Sequence, residues 1–469
     1  MDFSTPNSFV LVEGNNQSNP HERNHMHVKA HLDVDLVALE AADQLTLMLD
    51  LTAPITDKAK NRAPQAIQVV LDRSGSMEGE RLESARGSLL KLVDRLAPQD
   101  FFGLVAFDDQ ALVIVPMRQV KDHHIPSLRQ AIRQIESRGS TDLSAGYLMG
   151  LRELTRVTTA GASTLLLISD GHANAGEKDP KVLQSIATKH ATQRVTTSTI
   201  GLGNGYDEVI LEALATGGGG AHRFASTVDE AVGAIAAEVN DLLDKSAVNA
   251  VLRVKPVTGL TQPPQIQVIQ RLPFWKDGED YVVQLGDLYA GENRRFIIGL
   301  EVPGIAALGL AKVADLVVEY LNLAEMTEIS VTMPVQVNVV PVDIAAGRVA
   351  DPIVRAERLI IEAQTEKAAA TDEIREGKTS VASKRLKGTA EKLRREASNI
   401  HVTDTRSAES LEIIKAEADE MDRLANIAES EDSMHSAKRM YESYSRMTRS
   451  RKFRESQIDT SNIDPDYLN

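Results

Sequence analysis

Residues 70–77 read VLDRSGSM, the end of an apolar run that opens as AIQVVLD at Ala66. A strand buried on both faces reads as continuously apolar rather than alternating, so this run predicts a central strand of a parallel sheet. Three further runs share its character: FFGLVAFD (101–108), STLLLISD (163–170) and RVTTSTIGLG (194–203). Helical stretches alternate with them: GERLESARGSLLKLVDRL (79–96), TDLSAGYLMGLREL (141–154), PKVLQSIATKHA (180–191), DEVILEALA (207–215) and VDEAVGAIAAEVNDLLDK (228–245). Such alternation predicts right-handed βαβ units, and so a doubly wound α/β sheet over residues 65–245. Sheets of this kind bind ligands at the carboxyl ends of their strands. Asp72, Ser74 and Ser76 crowd three oxygen-bearing side chains into the turn at one such end. Turn chemistry alone accounts for Asp and Ser there; so does a bound cation.

The flanks have a different grammar. Residues 1–25 are polar and Asn/Ser-rich, and are expected to be disordered. In 26–64, HVKAHLDVDLV and QLTLMLDLTAP alternate at period two and predict a strand pair. In 246–345 the helical pattern vanishes. AVNAVLRVKPV, PPQIQVIQRLP, DYVVQLGDLY, RRFIIGLEVP, ADLVVEYLN and EISVTMPVQVNVV predict an antiparallel β-sandwich. The strands at 26–64 are expected to join it, so that the α/β domain is inserted in the sandwich. Residues 346–450 turn to Ala, Glu, Lys, Arg and Leu and predict an α-helical C-terminal bundle, with helices over 352–376, 378–399 and 405–447. Asp404 is the expected N-cap of the last. Leu386, Ala390, Leu393 and Ala397 form one apolar stripe. Residues 451–469 are expected to be a flexible tail.

Bulk composition narrows the function. The chain has 469 residues, enough for about three domains, with 42% hydrophobic and 4% aromatic residues. A net charge of −15 argues against nucleic acid and anionic membranes as partners and is compatible with binding a cation. With no cysteine, thiol nucleophiles, Cys-based zinc sites and disulfides are excluded, as fits a reducing compartment. No basic leader opens the sequence, and no apolar run is long enough to span a bilayer. A cytoplasmic location is expected.

Two other segments complete the constellation. LLLISDGHANAG ends a strand at Asp170, and RGSTDLSAGY sets Thr141 before a helix. Convergence would assemble two carboxylates and three hydroxyls, hard donors that suit octahedral Mg²⁺ or Mn²⁺. In these motifs, DRSGSM, Thr141 and SDG, residues 65–245 resemble a von Willebrand factor type A domain with its metal-ion-dependent adhesion site. The resemblance implies that Ser74, Ser76 and Thr141 are direct ligands of Mg²⁺ (or Mn²⁺ or Ca²⁺), and that Asp72 and Asp170 bind directly or through water. It implies a partner protein whose Asp or Glu completes the shell. The wider layout is similar to bacterial calcium-activated chloride channel-like proteins and, more distantly, to inter-alpha-trypsin inhibitor heavy chains. Bacterial proteins of this kind serve as adaptors, some for MoxR-type AAA+ ATPases.

The expected function is therefore a cation-dependent adhesion or adaptor module, not an enzyme. The alternatives are a scaffold whose ion locks the fold, or a metal-dependent hydrolase with His172 as base. Weaker motifs have plainer readings. GLGNGYDE (201–208) is a strand-to-helix turn with Asp207 near the helix start. GGGG (217–220) reads as a flexible turn, and Asp108–Asp109 as a turn or as part of the site rim. His25, His27 and His31 share a strand face as a zinc reading against surface histidines. KRMYESYSRMTRSRKFR (438–454) reads as a solvated helix end against an acidic-partner or nucleic-acid contact. SNIDPDYLN (461–469) has only its position to suggest a docking peptide.

Overall fold

The computed structural model describes residues 25–54, 64–157, 163–203, 207–225, 244–258, 260, 262–270, 272–398 and 405–429, with positions 227, 230, 233–235 and 238 between. The chain opens with β1 (His27–Leu32), β2 (Leu36–Ala38) and β3 (Asp43–Thr52). The α/β region follows: β4 (Ala66–Asp72), α1 (Glu80–Arg95), β5 (Phe101–Phe107), β6 (Ala111–Gln119), α2 (Ile125–Arg133), α3 (Leu143–Leu154), β7 (Ser163–Ser169), α4 (Pro180–Ala191), β8 (Val195–Leu202), α5 (Glu208–Gly217) and β9 (Gly219–Ala225). Seven strands come next: β10 (Lys245–Pro256), β11 (Gln265–Val268), β12 (Phe274–Asp277), β13 (Asp280–Tyr289), β14 (Asn293–Val302), β15 (Gly309–Asn322) and β16 (Thr327–Val340). Helices α6 (Val342–Ala346), α7 (Pro352–Arg375), α8 (Thr379–Ala397) and α9 (Thr405–Ala428) close the description.

The α/β sheet has the order β6-β5-β4-β7-β8-β9. All seven residues of β4 are buried, and their two-residue period splits them between two cores. Ile67, Val69 and Leu71 pack with Leu82, Leu89 and Leu92 of α1. Ala66 and Val70 pack with Tyr147 and Leu151 of α3 on the other face. β4 pairs in parallel with β5 on one side and β7 on the other. The winding direction therefore reverses between β4 and β7, and the crevice of a doubly wound fold opens at their carboxyl ends.

Two strands of this sheet depart from the sequence reading. β6 is antiparallel to β5. The GGGG tract is no flexible turn, because Gly219 and Gly220 begin strand β9. A Cβ on Gly220 would stand 1.9 Å from the Thr197 carbonyl oxygen, so these glycines permit a close backbone approach rather than a loose loop. Of the helix expected over 228–245, Glu230, Gly233–Ile235 and Glu238 are described as helical, while Lys245 heads strand β10.

The remaining strands form a four-stranded sheet, β1-β3-β14-β11, and a six-stranded sheet, β12-β13-β10-β15-β16-β2. Leu47, Leu49 and Leu51 of β3 share one core with Leu252, Leu285 and Val318 of the larger sheet. The chain leaves this pair after β3 and returns at β10. Both crossings are tied to the turn between β13 and β14: the amide of Gly291 donates to Pro54 O (3.2 Å) and that of Ala290 to Asp244 O (2.8 Å).

Helix α7 is capped by Asp351, whose carboxylate accepts from the amides of Ile353 and Val354. It lays Val354 and Ile361 on Met48 and Ile297, at the outer face of the four-stranded sheet. The stripe Leu386, Ala390, Leu393 and Ala397 is buried against α7 and α9. Asp404 as a cap, the helix beyond residue 429, the basic stretch 438–454, the tail and the first 24 residues lie outside the described residues.

No apolar cluster of the described residues joins the α/β domain to the rest of the chain; two buried polar junctions do. In the first, Lys245 Nζ donates to Asp287 Oδ2 (2.6 Å) and Thr164 Oγ1 (2.9 Å), and Thr196 Oγ1 also donates to that carboxylate. Burial would raise the Asp287 carboxyl, but the Lys245 ammonium and these hydrogen bonds bring it below its ordinary value. In the second, Arg375 of α7 reaches Glu208 (2.9 Å) and Glu212 (2.5 Å) of α5. Burial pushes the Glu212 carboxyl up to about 8, against the opposing pull of Arg375. One guanidinium faces two buried carboxylates, which favours the protonated form of Glu212. Among the described residues no helix is long and apolar enough to cross a membrane.

Candidate functional site

Asp72 ends β4 and Asp170 directly follows β7, so the two carboxylates flank the crevice where the winding reverses. Both are buried, as are Ser74 and Thr141, while Ser76 is exposed at the mouth. The turn after β4 is fixed by its own backbone. The amide of Ser74 donates to Asp72 Oδ1 (2.8 Å), and Gly75–Met77 form a single 3-10 turn. The loop bearing Thr141 is held against it by a bond from the Gly75 amide to Gly139 O (3.2 Å). Thr141 O accepts from the amides of Asn174 (2.9 Å) and Ala175 (3.2 Å), which ties the third segment in. Asp142, not Thr141, caps α3, accepting from the Ala145 amide.

The hydroxyls converge on one point. A Cβ placed on Gly171 would lie 3.1 Å from Thr141 Oγ1, 3.3 Å from Ser76 Oγ and 3.6 Å from Ser74 Oγ. Ser76 Oγ lies 3.1 Å from Ser74 Oγ and donates to Asp170 Oδ1 at 2.7 Å. The five oxygen-bearing side chains singled out from the sequence thus come together from three separate segments.

The electrostatics are unbalanced on one side. Burial pushes the Asp72 carboxyl up to about 6; hydrogen bonds from Ser169 and Ser74 pull it back, and the nearby Asp170 carboxylate raises it. Ser169 Oγ donates to Asp72 Oδ2 at 2.6 Å. Asp170 is met by a cation, since Arg81 Nη1 donates to its Oδ2 at 2.7 Å and to Ser76 O at 3.1 Å. Two carboxylates and three hydroxyls are hard donors, a set that fits Mg²⁺ or a similar ion. Among the described residues no cluster of three or more His, Asp or Glu side chains is poised to share an ion.

Asp108 does form a turn, accepting from the Gln110 amide at 3.0 Å, but its second role escaped the sequence reading. It is fully buried, and Arg73 and Arg138 each bring Nε to 2.8 Å from its Oδ2. Burial would raise this carboxyl, but the hydrogen bond from Arg138 and the charge of Arg73 bring it below its ordinary value. The Asp142 amide also donates to Asp108 O (2.7 Å) and the Arg138 amide to Arg73 O (2.8 Å). Asp108 is a strut that fixes the Ser74 turn against the Thr141 loop. Ser169 was the easier of the missed residues to foresee, being the polar residue before a strand-end Asp.

His172 is exposed beside the site. His25 and His27 are exposed and His31 is half-buried, with His25 Nε2 3.7 Å from Glu325. Asp207 caps α5, accepting from the Ile210 amide.

Residues 67–238 match the family model of the von Willebrand factor type A domain. That stretch is a von Willebrand factor type A domain. Relatives extend the likeness beyond it. The uncharacterized protein sll0103 of Synechocystis is 25% identical over 296 residues, covering 60% of this chain and 68% of its own. The uncharacterized protein YfbK of Escherichia coli is 29% identical over 269 residues, covering 56% and 46%. Inter-alpha-trypsin inhibitor heavy chain H4 of Homo sapiens is 28% identical over 167 residues, 34% of this chain and 18% of that one. The chain thus spans under half the length of the latter two.

Among solved structures, a von Willebrand factor type A protein from Catenulispora acidiphila superposes with a TM-score of 0.64 at 16% identity, over 85% of this chain and 96% of that one. The ArnB paralog VWA2 from Sulfolobus acidocaldarius gives 0.56 at 16% identity, over 85% and 98%. At this identity the likeness is one of fold. It takes in far more of the chain than the type A domain.

Proposed function

We propose that this chain is a divalent-cation-dependent protein-binding module rather than an enzyme. Asp72, Ser74, Ser76, Thr141 and Asp170 hold Mg²⁺, or Mn²⁺ or Ca²⁺ in its place, and an Asp or Glu of a partner protein completes the shell. The observation that carries this reading is the convergence of three hydroxyls beside two buried carboxylates at the reversal of the sheet. Hydroxyl ligands add no charge, so two carboxylates balance a divalent ion and no more. The ion stays electrophilic toward one further carboxylate from outside. Catalysis would also require a base aimed at a bound substrate, and His172 is turned to solvent.

We read the sandwich as the host of the type A domain and the helical arm as its brace, with the cytoplasm as the working compartment. A MoxR-type AAA+ ATPase is one partner such a module would serve. The test is affinity capture from the source cell's lysate with wild type, Asp72→Ala and Thr141→Ala, in Mg²⁺ and in EDTA. Partners should be retained only by wild type with Mg²⁺, and both variants should keep the wild-type circular dichroism. Partners indifferent to metal and to both substitutions, combined with a melting temperature that drops in EDTA, would instead make the ion a lock on the fold.

A further inference from the structure

The five-residue site leaves one neighbouring group unexplained. Arg81, in the first turn of α1, is 45% exposed yet firmly placed. Its Nη1 donates both to Asp170 Oδ2 and to Ser76 O. Its plane lies over Gly203, in the loop after β8. A Cβ there would stand 3.0 Å from Nη2, 3.3 Å from Cζ and 3.5 Å from Nε. Gly203 also holds φ +71°, which favours glycine. The guanidinium is therefore fixed by one nitrogen and one face, while Nε and Nη2 make no hydrogen bond to the described residues.

We propose that Arg81 is a partner-binding and specificity-determining residue of this site, receiving a second carboxylate of an acidic peptide on its Nε–Nη2 edge. This rests on the metal-dependent reading above and deepens it. The Nε–Nη2 edge is the fork that pairs with a carboxylate through two parallel bonds. Anchoring by Asp170 removes most of the side chain's freedom before the ligand arrives, so little entropy is lost on binding. Beside an ion that takes the first carboxylate, Arg81 makes the site a receptor for two acidic groups rather than one. It also competes with the ion for Asp170, so its removal should not weaken metal binding.

The test uses the full chain and two fluorescent decapeptides, one with a single Glu and one with two Glu residues two positions apart. Anisotropy is read in Mg²⁺ and in EDTA for wild type, Arg81→Gln and Arg81→Lys, and Mn²⁺ affinity is read separately by electron paramagnetic resonance. Wild type should prefer the two-carboxylate peptide by roughly tenfold, the ratio of one charge-assisted contact. Arg81→Gln should bring that ratio close to one and bind Mn²⁺ at least as tightly as wild type, and Arg81→Lys should restore part of the preference. EDTA-sensitive binding with a ratio near one in wild type, or a ratio unmoved by Arg81→Gln, overturns the Arg81 assignment alone. Loss of Mn²⁺ binding in Arg81→Gln overturns it too, making Arg81 a support for Asp170. If neither peptide binds wild type in an EDTA-sensitive way, the metal-dependent reading falls as well.

Discussion

Replacing Arg375 with Met removes the cation that engages both Glu208 and Glu212 while keeping a side chain of similar length. The arginine side chain is 13% exposed, and those of Glu208 and Glu212 are 5% and 8%. Both carboxylates then lose the guanidinium they engage at this depth. Removing one partner of a buried ion pair costs about 3–5 kcal/mol, and the substitution should lower stability by that much. Because Glu208 opens α5 directly after Asp207, whose amide is bonded to Gly171 O, the change should appear in that helix first. Hydrogen exchange of the α5 amides, corrected for intrinsic rates, is the assay. Exchange as slow as wild type would refute the reasoning.

Glu212→Gln should behave in the opposite way. Its carboxyl is raised above the unfolded value, so its stabilising contribution is present in full below about pH 4.5 and is lost as pH rises toward 8. The Gln variant should match wild type in urea unfolding near pH 4.5 and exceed it at pH 9; equal curves at both pH values would show that Glu212 does not titrate there. Lys245→Met leaves the Asp287 carboxylate buried without its ammonium and should cost about 3–5 kcal/mol, seen as a lowered denaturation midpoint. Gly171→Ala puts a methyl where the three hydroxyls converge, so Mn²⁺ affinity should fall at least tenfold, by roughly 1.4 kcal/mol or more, with little change in melting temperature. An unaltered Mn²⁺ affinity would mean that the ion does not sit there.

The strands legible in the sequence were those whose surroundings are uniform. β4, β5 and β7 are almost wholly buried and read as unbroken apolar runs. β6 escaped because it is an edge strand, half exposed, with Pro116 and Arg118 in its span. β12 escaped because all four of its residues face water, and α2 because nine residues opening on Ile-Pro give too short a period. The five oxygen-bearing side chains were legible for a different reason: strand ends at a winding reversal are fixed points of the fold, and short polar side chains there stand out. Arg81 and the Arg73–Asp108–Arg138 strut were not. Their partners lie 30 to 89 residues away, and no sequence period marks such a pairing.

The turn between β13 and β14 holds both chain crossings on two consecutive residues, Ala290 and Gly291. In genetic terms the type A domain is a cassette. Its ends arrive side by side, and the groups it would leave behind are charged ones that water accepts: the Lys245–Asp287 pair, and Arg375 without Glu208 and Glu212. Excision between Pro54 and Asp244 with a short bridging linker should yield a folded sandwich and helical arm. By the same logic a type A domain with a different rim could be spliced into this frame, changing what the protein holds without redesigning what holds it.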